Sequence, residues 1–354
     1  MKESFRSSNF ELMRIIAMII IVAYHYTIEE GTVYQPGINV YKIFFQLYGF
    51  GGKVGVDLFF ILTGYFLITQ SFHLRKLIKL FFQVEFYAVF VLIIVSLFNI
   101  KILNTTQIVQ LFFPLPQFNW FVRVYIILYL MVPILNTMYN NIQRKEFIYI
   151  LAIGGILWFI IPEISFRKIN MEFSNLVLAS YLYGVGAYIR LYSIDCNPKK
   201  IILYGIAGLV LGSIILDILS SYFEFFYKRS FFFIDGTGGN SFFPLMISIG
   251  MFLYFKNLYI PYTKWINSLA TTVLGIYLIH GNLLVQHYIC SELFYSRVYS
   301  NSLFAPILAI FATTAIFIGC SCIDYGRQMI FKYFIHEDLY EHIEYAICNF
   351  KSKR

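Results

Sequence analysis

The sequence predicts an all-α fold: a polytopic integral membrane bundle of about ten transmembrane helices, with both termini cytoplasmic. Three observations predict it. Hydrophobic residues make up 59% of the 354 and charged residues only 13%, about half the roughly 25% charge of a soluble domain. Ten apolar runs, near 10–28, 52–70, 80–100, 119–138, 147–162, 175–192, 200–222, 241–256, 269–289 and 304–323, approach or reach the roughly 20 residues that cross a bilayer. None shows the strict alternation of a barrel strand, and only helices and closed barrels satisfy their backbone in lipid.

The first run carries Arg14 and His25 and is followed by no small-residue cleavage site, so it reads as a retained helix rather than a secretory leader. A loop of 23 residues, EEGTVYQPGINVYKIFFQLYGFG, leads to the second run; Pro36, Gly37, Gly51 and Gly52 punctuate it, and its aromatic part is expected along the interface. The second run holds Asp57 and ends at the basic loop HLRKLIK. The third contains Glu85. The fourth opens on Trp120 and Arg123 and ends near IQRKE. After the fifth comes PEISFRKINMEFSN, and after the seventh, which contains Asp217, comes EFFYKRSFFFIDGTGGN. Its GTGGN at 236–240 reads as a turn; it lacks the strand, helix and Lys of a phosphate-binding loop. The ninth run is expected as one helix with His280 near its middle. Residues 1–325 form the transmembrane domain, and 326–354 a cytoplasmic tail whose apolar residues fit an amphipathic helix on the inner leaflet.

The net charge of +8 does not imply a nucleic-acid site. With ten helices and both ends inside, 18 of the 27 Lys and Arg fall on the cytoplasmic side, as the positive-inside rule requires. The expected partner of these charges is the lipid bilayer. The five cysteines have no zinc-like spacing and read as small apolar fillers. His336 and His342 are six apart and poorly placed to share an ion. No metal is predicted.

Arg14 and His25 are eleven positions apart. At 100° per residue this is about 20° beyond three turns, so both side chains leave the helix on nearly one face, roughly 16 Å apart along its axis. Ionisable residues inside a membrane usually face a cavity or a partner. Two on one face suggest a polar tunnel along the first helix. Simpler readings stand beside this one: Arg14 as an anchor paired with Glu11 at (i, i+3), and His25 as an interfacial residue. Asp57, at comparable depth on the second helix, either holds the His25 imidazole or answers the helix dipole. Arg123 is an acceptor contact or a snorkelling anchor. His280, at mid-membrane depth, is functional or bonded to a neighbouring helix. Glu85 and Asp217 read as inter-helix hydrogen-bonding groups.

NFELMRIIAMIIIVAYH resembles the opening of the type 3 integral membrane acyltransferase family, whose members share an Arg or Lys and then, after ten residues, a His. Here these are Arg14 and His25. GVDLFFILTGYFL is similar to the family's second-helix motif, with Thr63, Gly64 and Tyr65 where Ser-Gly-Phe is usual. FNWFVRVYIILYLMVPIL resembles its fourth-helix segment through Trp120, Phe121 and Pro133, and LGIYLIHGNLL its late motif through Tyr277 and His280. The resemblance covers about residues 9–325. It implies a bacterial inner-membrane, multi-pass enzyme that moves an acyl group, commonly acetyl, from cytosolic acyl-CoA to a hydroxyl of a cell-surface polysaccharide or lipid-linked glycan. In that reading His25 is the general base, assisted by Arg14 and Asp57. Arg14, Arg75, Lys76 and Lys79 meet the phosphates of acetyl-CoA. Lys79 stands where Arg is common, a point charge in place of a bidentate fork. Trp120, Arg123 and His280 are expected at the acceptor. Two other functions fit a ten-helix protein with buried charges: a transporter of a glycan or small solute such as an amino acid, and a non-enzymatic member of a polysaccharide-synthesis complex.

Overall fold

The computed structural model describes residues 7–112, 116–165, 174–229, 232–235, 241–295, 297 and 302–350. Among them the chain is helical without strands. Helix α1 (Ser8–Glu30) ends where Gly31 takes a left-handed φ of 89° and returns its N–H to Thr27 O, the usual helix stop. A 3-10 turn at Thr32–Tyr34 precedes α2 (Val40–Gly49), capped by the Asn39 side chain, which accepts from Tyr41 N. The connection expected to lie along the interface is therefore partly helical, and it runs through Phe50 into α3 (Gly51–Leu67). Helix α4 (Leu74–Leu97) follows, then α5 (Thr105–Leu111) with an Asn104–Gln107 capping box, and α6 (Trp120–Asn141). Next, α7 (Arg144–Gly155) passes through a π turn at Ile156–Ile160 into α8 (Ile161–Ser165).

The second half comprises α9 (Ser174–Leu191), α10 (Pro198–Tyr222), a 3-10 turn at Glu224–Arg229, α11 (Phe232–Asp235) and α12 (Phe242–Asn257). Asn197 caps α10 by accepting from Lys199 N and Lys200 N, and Pro198 begins it, the position where a missing N–H costs nothing. Then come α13 (Lys264–Ala270), α14 (Val273–His280), a π turn at Tyr288–Leu293, α15 (Ala305–Phe334) and α16 (Glu337–Phe350). Seven helical stretches among the described residues are long and apolar enough to cross a membrane, namely α1, α2 continued into α3, α4, α6, α7 continued into α8, α10 and α15, and α12 is a shorter apolar helix. Large apolar side chains lie exposed on the outside of α10 and α15, among them Leu203, Leu211, Ile307 and Ile318. In a bilayer such a surface meets lipid. The GTGGN turn at 236–240 lies outside the described residues.

Helix α3 is the centre of the bundle and packs on α1, α9 and α12. Small residues permit the close approach. A Cβ on Gly64 would lie 2.0 Å from Tyr183 O of α9, and one on Gly186 of α9 would lie 2.0 Å from Ile61 O. Side-chain-free contact of this kind suits helices that gain nothing from expelling water. Helix α15 does not stop near 323 but continues to Phe334. Its Asp324 accepts from Tyr87 on α4 at 2.5 Å and from Arg327 and Gln328 on its own turns at 2.8 and 2.7 Å, which ties α4 to α15. Asp217 on α10 is bonded across helices, as expected, but to a residue the sequence did not single out: buried Lys42 of α2, at 2.7 Å.

The ninth apolar run is not one helix. α14 ends at His280, and after Gly281 the chain turns on Asn282. The Asn282 side chain accepts from Leu284 N at 3.0 Å and donates to Asn119 at 2.8 Å, while Leu283 N donates to Phe118 O. These bonds replace the helical ladder. A broken helix is tolerated at membrane depth only where protein satisfies the freed groups, and here the break sits beside α6.

Candidate active site

A cavity of about 510 Å³ lies between α1, α3, α4, α6 and the α13–α14 segment. From α1 it is lined by Arg14, Met18, Ile21 and His25. These positions are i, i+4, i+7 and i+11, one stripe of a 3.6-residue helix. At the Arg14 end α4 adds Lys76, Lys79 and Gln83; Thr63, Trp120, Tyr125 and Tyr277 line it elsewhere. The two polar residues of the first helix thus share one concave surface, cationic at one end and imidazole at the other. Arg14 also keeps the Glu11 partner that its spacing offered, at 2.9 and 3.1 Å. Pairing with Glu11 does not remove it from the cavity.

His25 is half-buried. Its Nδ1 is enclosed and has no hydrogen-bond partner, so its contact with the cavity runs through the other edge of the ring. Behind it stands His280, fully buried, with ring centroids 5.1 Å apart. His280 Nδ1 lies 2.6 Å from Ile276 O, and its Nε2 has no partner. His280 was expected at the acceptor, yet it does not line the cavity; it backs the ring that does. The helix break places it there, because α14 ends on this residue. Tyr277, one turn earlier, accepts from Phe121 N at 3.1 Å and binds α14 to the start of α6.

Asp57 was expected beside the imidazole, but no hydrogen bond joins it to His25. It is buried, with Ser248 of α12 at 3.5 Å from Oδ2 and no partner for Oδ1. The physical reason is register. Asp57 shares its helix face with Ile61 and Gly64, which pack on α9, whereas Phe59, Thr63 and Phe66 turn to the cavity. Trp120 reaches the cavity, and Arg123 does not; it bonds Gln117 instead.

The basic patch is divided. Lys76 and Lys79 line the cavity mouth. Arg75 turns away and pairs with Glu341 and Glu344 of α16, at 2.9 and 3.0 Å. Lys79 also holds Glu337, at 2.7 Å. The tail is helical, as expected, but one face packs on α4, where Tyr340 is buried against Phe82. Gln83 was not anticipated from sequence. It lies four and seven residues after Lys79 and Lys76, so helical periodicity alone could have found it. Among the described residues no group of three or more His, Cys, Asp or Glu is placed to hold a metal ion.

Residues 7–324 match the family model described as an acyltransferase domain. No curated protein and no solved structure matches.

Proposed function

The chain belongs to the type 3 family of membrane acyltransferases, and from that premise we propose that it moves an acyl group, acetyl in the first instance, from acyl-CoA to a hydroxyl of an exported or cell-surface glycan. Acyl transfer is the family's chemistry. Donor, acceptor and residue roles are our reading, carried by one observation: a single cavity joins the cationic cluster of Arg14, Lys76 and Lys79 to the imidazole of His25.

In this reading the nucleotide phosphates rest on the cationic end, at the cytosolic face. The pantetheine arm spans the roughly 16 Å of helix α1 between the two residues. A thioester needs no further activation, but a sugar hydroxyl is a weak nucleophile. His25 accepts the hydroxyl proton as the oxygen attacks the thioester carbonyl. The C–S bond breaks, and the departing thiolate takes the proton back from the imidazolium. An ester and free CoA result, and the histidine is restored. Arg14 and the lysines bind and orient; they need not touch the reacting carbon. Trp120, on the cavity wall, offers a flat face to the acceptor.

The test is transfer of labelled acetyl from acetyl-CoA to envelope glycan by the reconstituted protein. Label should reach glycan as base-labile ester, and His25→Ala should reduce the rate by about 10²-fold or more. Glycan or solute flux that persists in His25→Ala, with no label transferred by the wild type, would instead favour transport.

A further inference from the structure

The two histidines present a pair of unmet hydrogen-bonding needs. His280 Nδ1 faces a carbonyl, Ile276 O, at 2.6 Å. A carbonyl only accepts, so the proton sits on Nδ1 and Nε2 carries a lone pair. That Nε2 is buried and unpartnered, and so is Nδ1 of the neighbouring His25. Orphaned buried polar atoms are rare and costly. The rings are 5.1 Å apart and inclined at 49°, so a small rotation of either brings the nitrogens within hydrogen-bond range. We propose that His280 is a positioning residue: its Nε2 accepts from His25 Nδ1–H and thereby fixes His25 in the tautomer whose Nε2 is the unprotonated base.

The inference rests on His25 acting as the base. It adds a reason that this histidine is competent. In the other tautomer the cavity-facing nitrogen would carry a proton and could not accept one. The backbone of α14 sets the chain of orientation, from Ile276 O through His280 to His25. When His25 takes the acceptor proton, its Nδ1–H becomes a charged donor, and bonds to charged donors are stronger. The bond therefore favours the reacting state over the resting one. Helix α14 ends at His280 because Gly281 and Asn282 break it, so the break and the tautomer control belong to one local design.

The experiment is nitrogen NMR on the full chain in lipid nanodiscs, with ¹⁵N-histidine assigned through His25→Gln. His25 should show a protonated Nδ1 and an unprotonated Nε2 at a pH where the ring is neutral. His280→Leu should remove the preference and lower kcat roughly 10²-fold with the acetyl-CoA KM within twofold. His280→Gln, which keeps an acceptor oxygen, should recover most of that loss. A wild-type His25 protonated on Nε2 overturns the proposal whether or not any variant folds, as does a His280→Leu enzyme of wild-type kcat. Full activity in His25→Ala would instead remove the base reading itself, whatever the spectrum shows.

At the opposite end of the cavity a separate observation carries a second inference. Glu337, Glu341 and Glu344 form one stripe of α16 and pair with Lys79 and Arg75. Lys79 also lies over the Tyr340 ring, at 5.2 Å. A carboxylate of the chain itself, Glu337, thus occupies Lys79, a cation that the donor reading assigns to phosphate, while Glu341 and Glu344 anchor the same helix on neighbouring Arg75. We infer that α16 is an acidic latch that competes with the donor's phosphates at the cavity mouth. In the full-length Glu337→Gln, Glu341→Gln, Glu344→Gln triple variant, the KM for acetyl-CoA should fall roughly threefold to tenfold with kcat unchanged. An unchanged or higher KM overturns the latch. If Arg75→Gln with Lys79→Gln leaves KM unaltered as well, the donor reading of the patch falls with it.

Discussion

The ion pair between Lys42 and Asp217 allows the sharpest test of how the bundle is held. Both side chains are about 1% exposed, and their charged atoms are 2.7 Å apart. Lys42 also donates to Gln35 O at 2.7 Å and Gly37 O at 2.9 Å, and Asp217 Oδ1 accepts from Gln46 at 3.0 Å. Removing one member of a buried pair costs about 3–5 kcal/mol, chiefly because the other charge is stranded. The two single changes should not be equal. Asp217→Leu leaves the ammonium two backbone carbonyls, which places it near the lower figure. Lys42→Met leaves the carboxylate one amide, strands Gln35 O and Gly37 O, and adds to an Oδ2 that already lacks a partner; it belongs near the upper figure. Replacing both with apolar residues removes the stranded charge, and such double changes are often near neutral.

Thermal unfolding of detergent-solubilised protein with a thiol-reactive dye reads this directly. Cys290 and Cys320 are buried, whereas Cys196, Cys322 and Cys348 are exposed and supply the baseline. At roughly 2–4 °C per kcal/mol for a chain of some size, the single variants should lower Tm by about 6–20 °C, Lys42→Met more than Asp217→Leu. The double variant should recover most of the loss. Single variants within 2 °C of wild type, or a double variant no better than Lys42→Met, would refute the reasoning.

Two further outcomes follow from the site. Arg14→Gln should raise the KM for acetyl-CoA by about tenfold with a smaller change in kcat, since the role assigned to Arg14 is binding and orientation; initial rates over a donor range check this, and a purely kcat effect would contradict it. Asn282→Leu strands Leu284 N and the Asn119 amide oxygen, at about 1–3 kcal/mol each, and frees the turn that ends α14 at His280; a lower Tm in the dye assay should accompany a lost transfer rate, and unchanged values for both would show that the turn is held by other groups.

The parts of this molecule that obey a single period were legible in the sequence. Apolar runs gave the helices, and the eleven-residue interval from Arg14 to His25 gave their shared face. What depended on partners in three dimensions was not. Asp57 lies further along the α1–α3 contact than His25, because Gly52 meets Tyr24 and Gly55 meets Ala17 and Ile21, and it is on the wrong face of α3; the sequence supplied only an approximate depth for it. His280 was noticed, yet its place behind His25 required the helix break at Gly281–Asn282, two residues hidden inside an apolar run. Lys42 passed unnoticed because a lysine in a loop reads as solvated, and its burial comes from Asp217, 175 positions along the chain. The acidic stripe of α16 was visible as a helix, but its registration on Arg75 and Lys79 is tertiary.

The central claim is that one cavity carries the donor from the cations at Arg14 to the imidazole of His25. A structure of the full chain in nanodiscs with a non-hydrolysable acetyl-CoA analogue, its thioester sulfur replaced by methylene, tests it most directly. The account predicts phosphates against Arg14, Lys76 and Lys79 and the acyl carbonyl in hydrogen-bond reach of the His25 ring. An analogue bound elsewhere, or one whose acyl end stops short of His25 with Met18 and Ile21 closed between them, would contradict it.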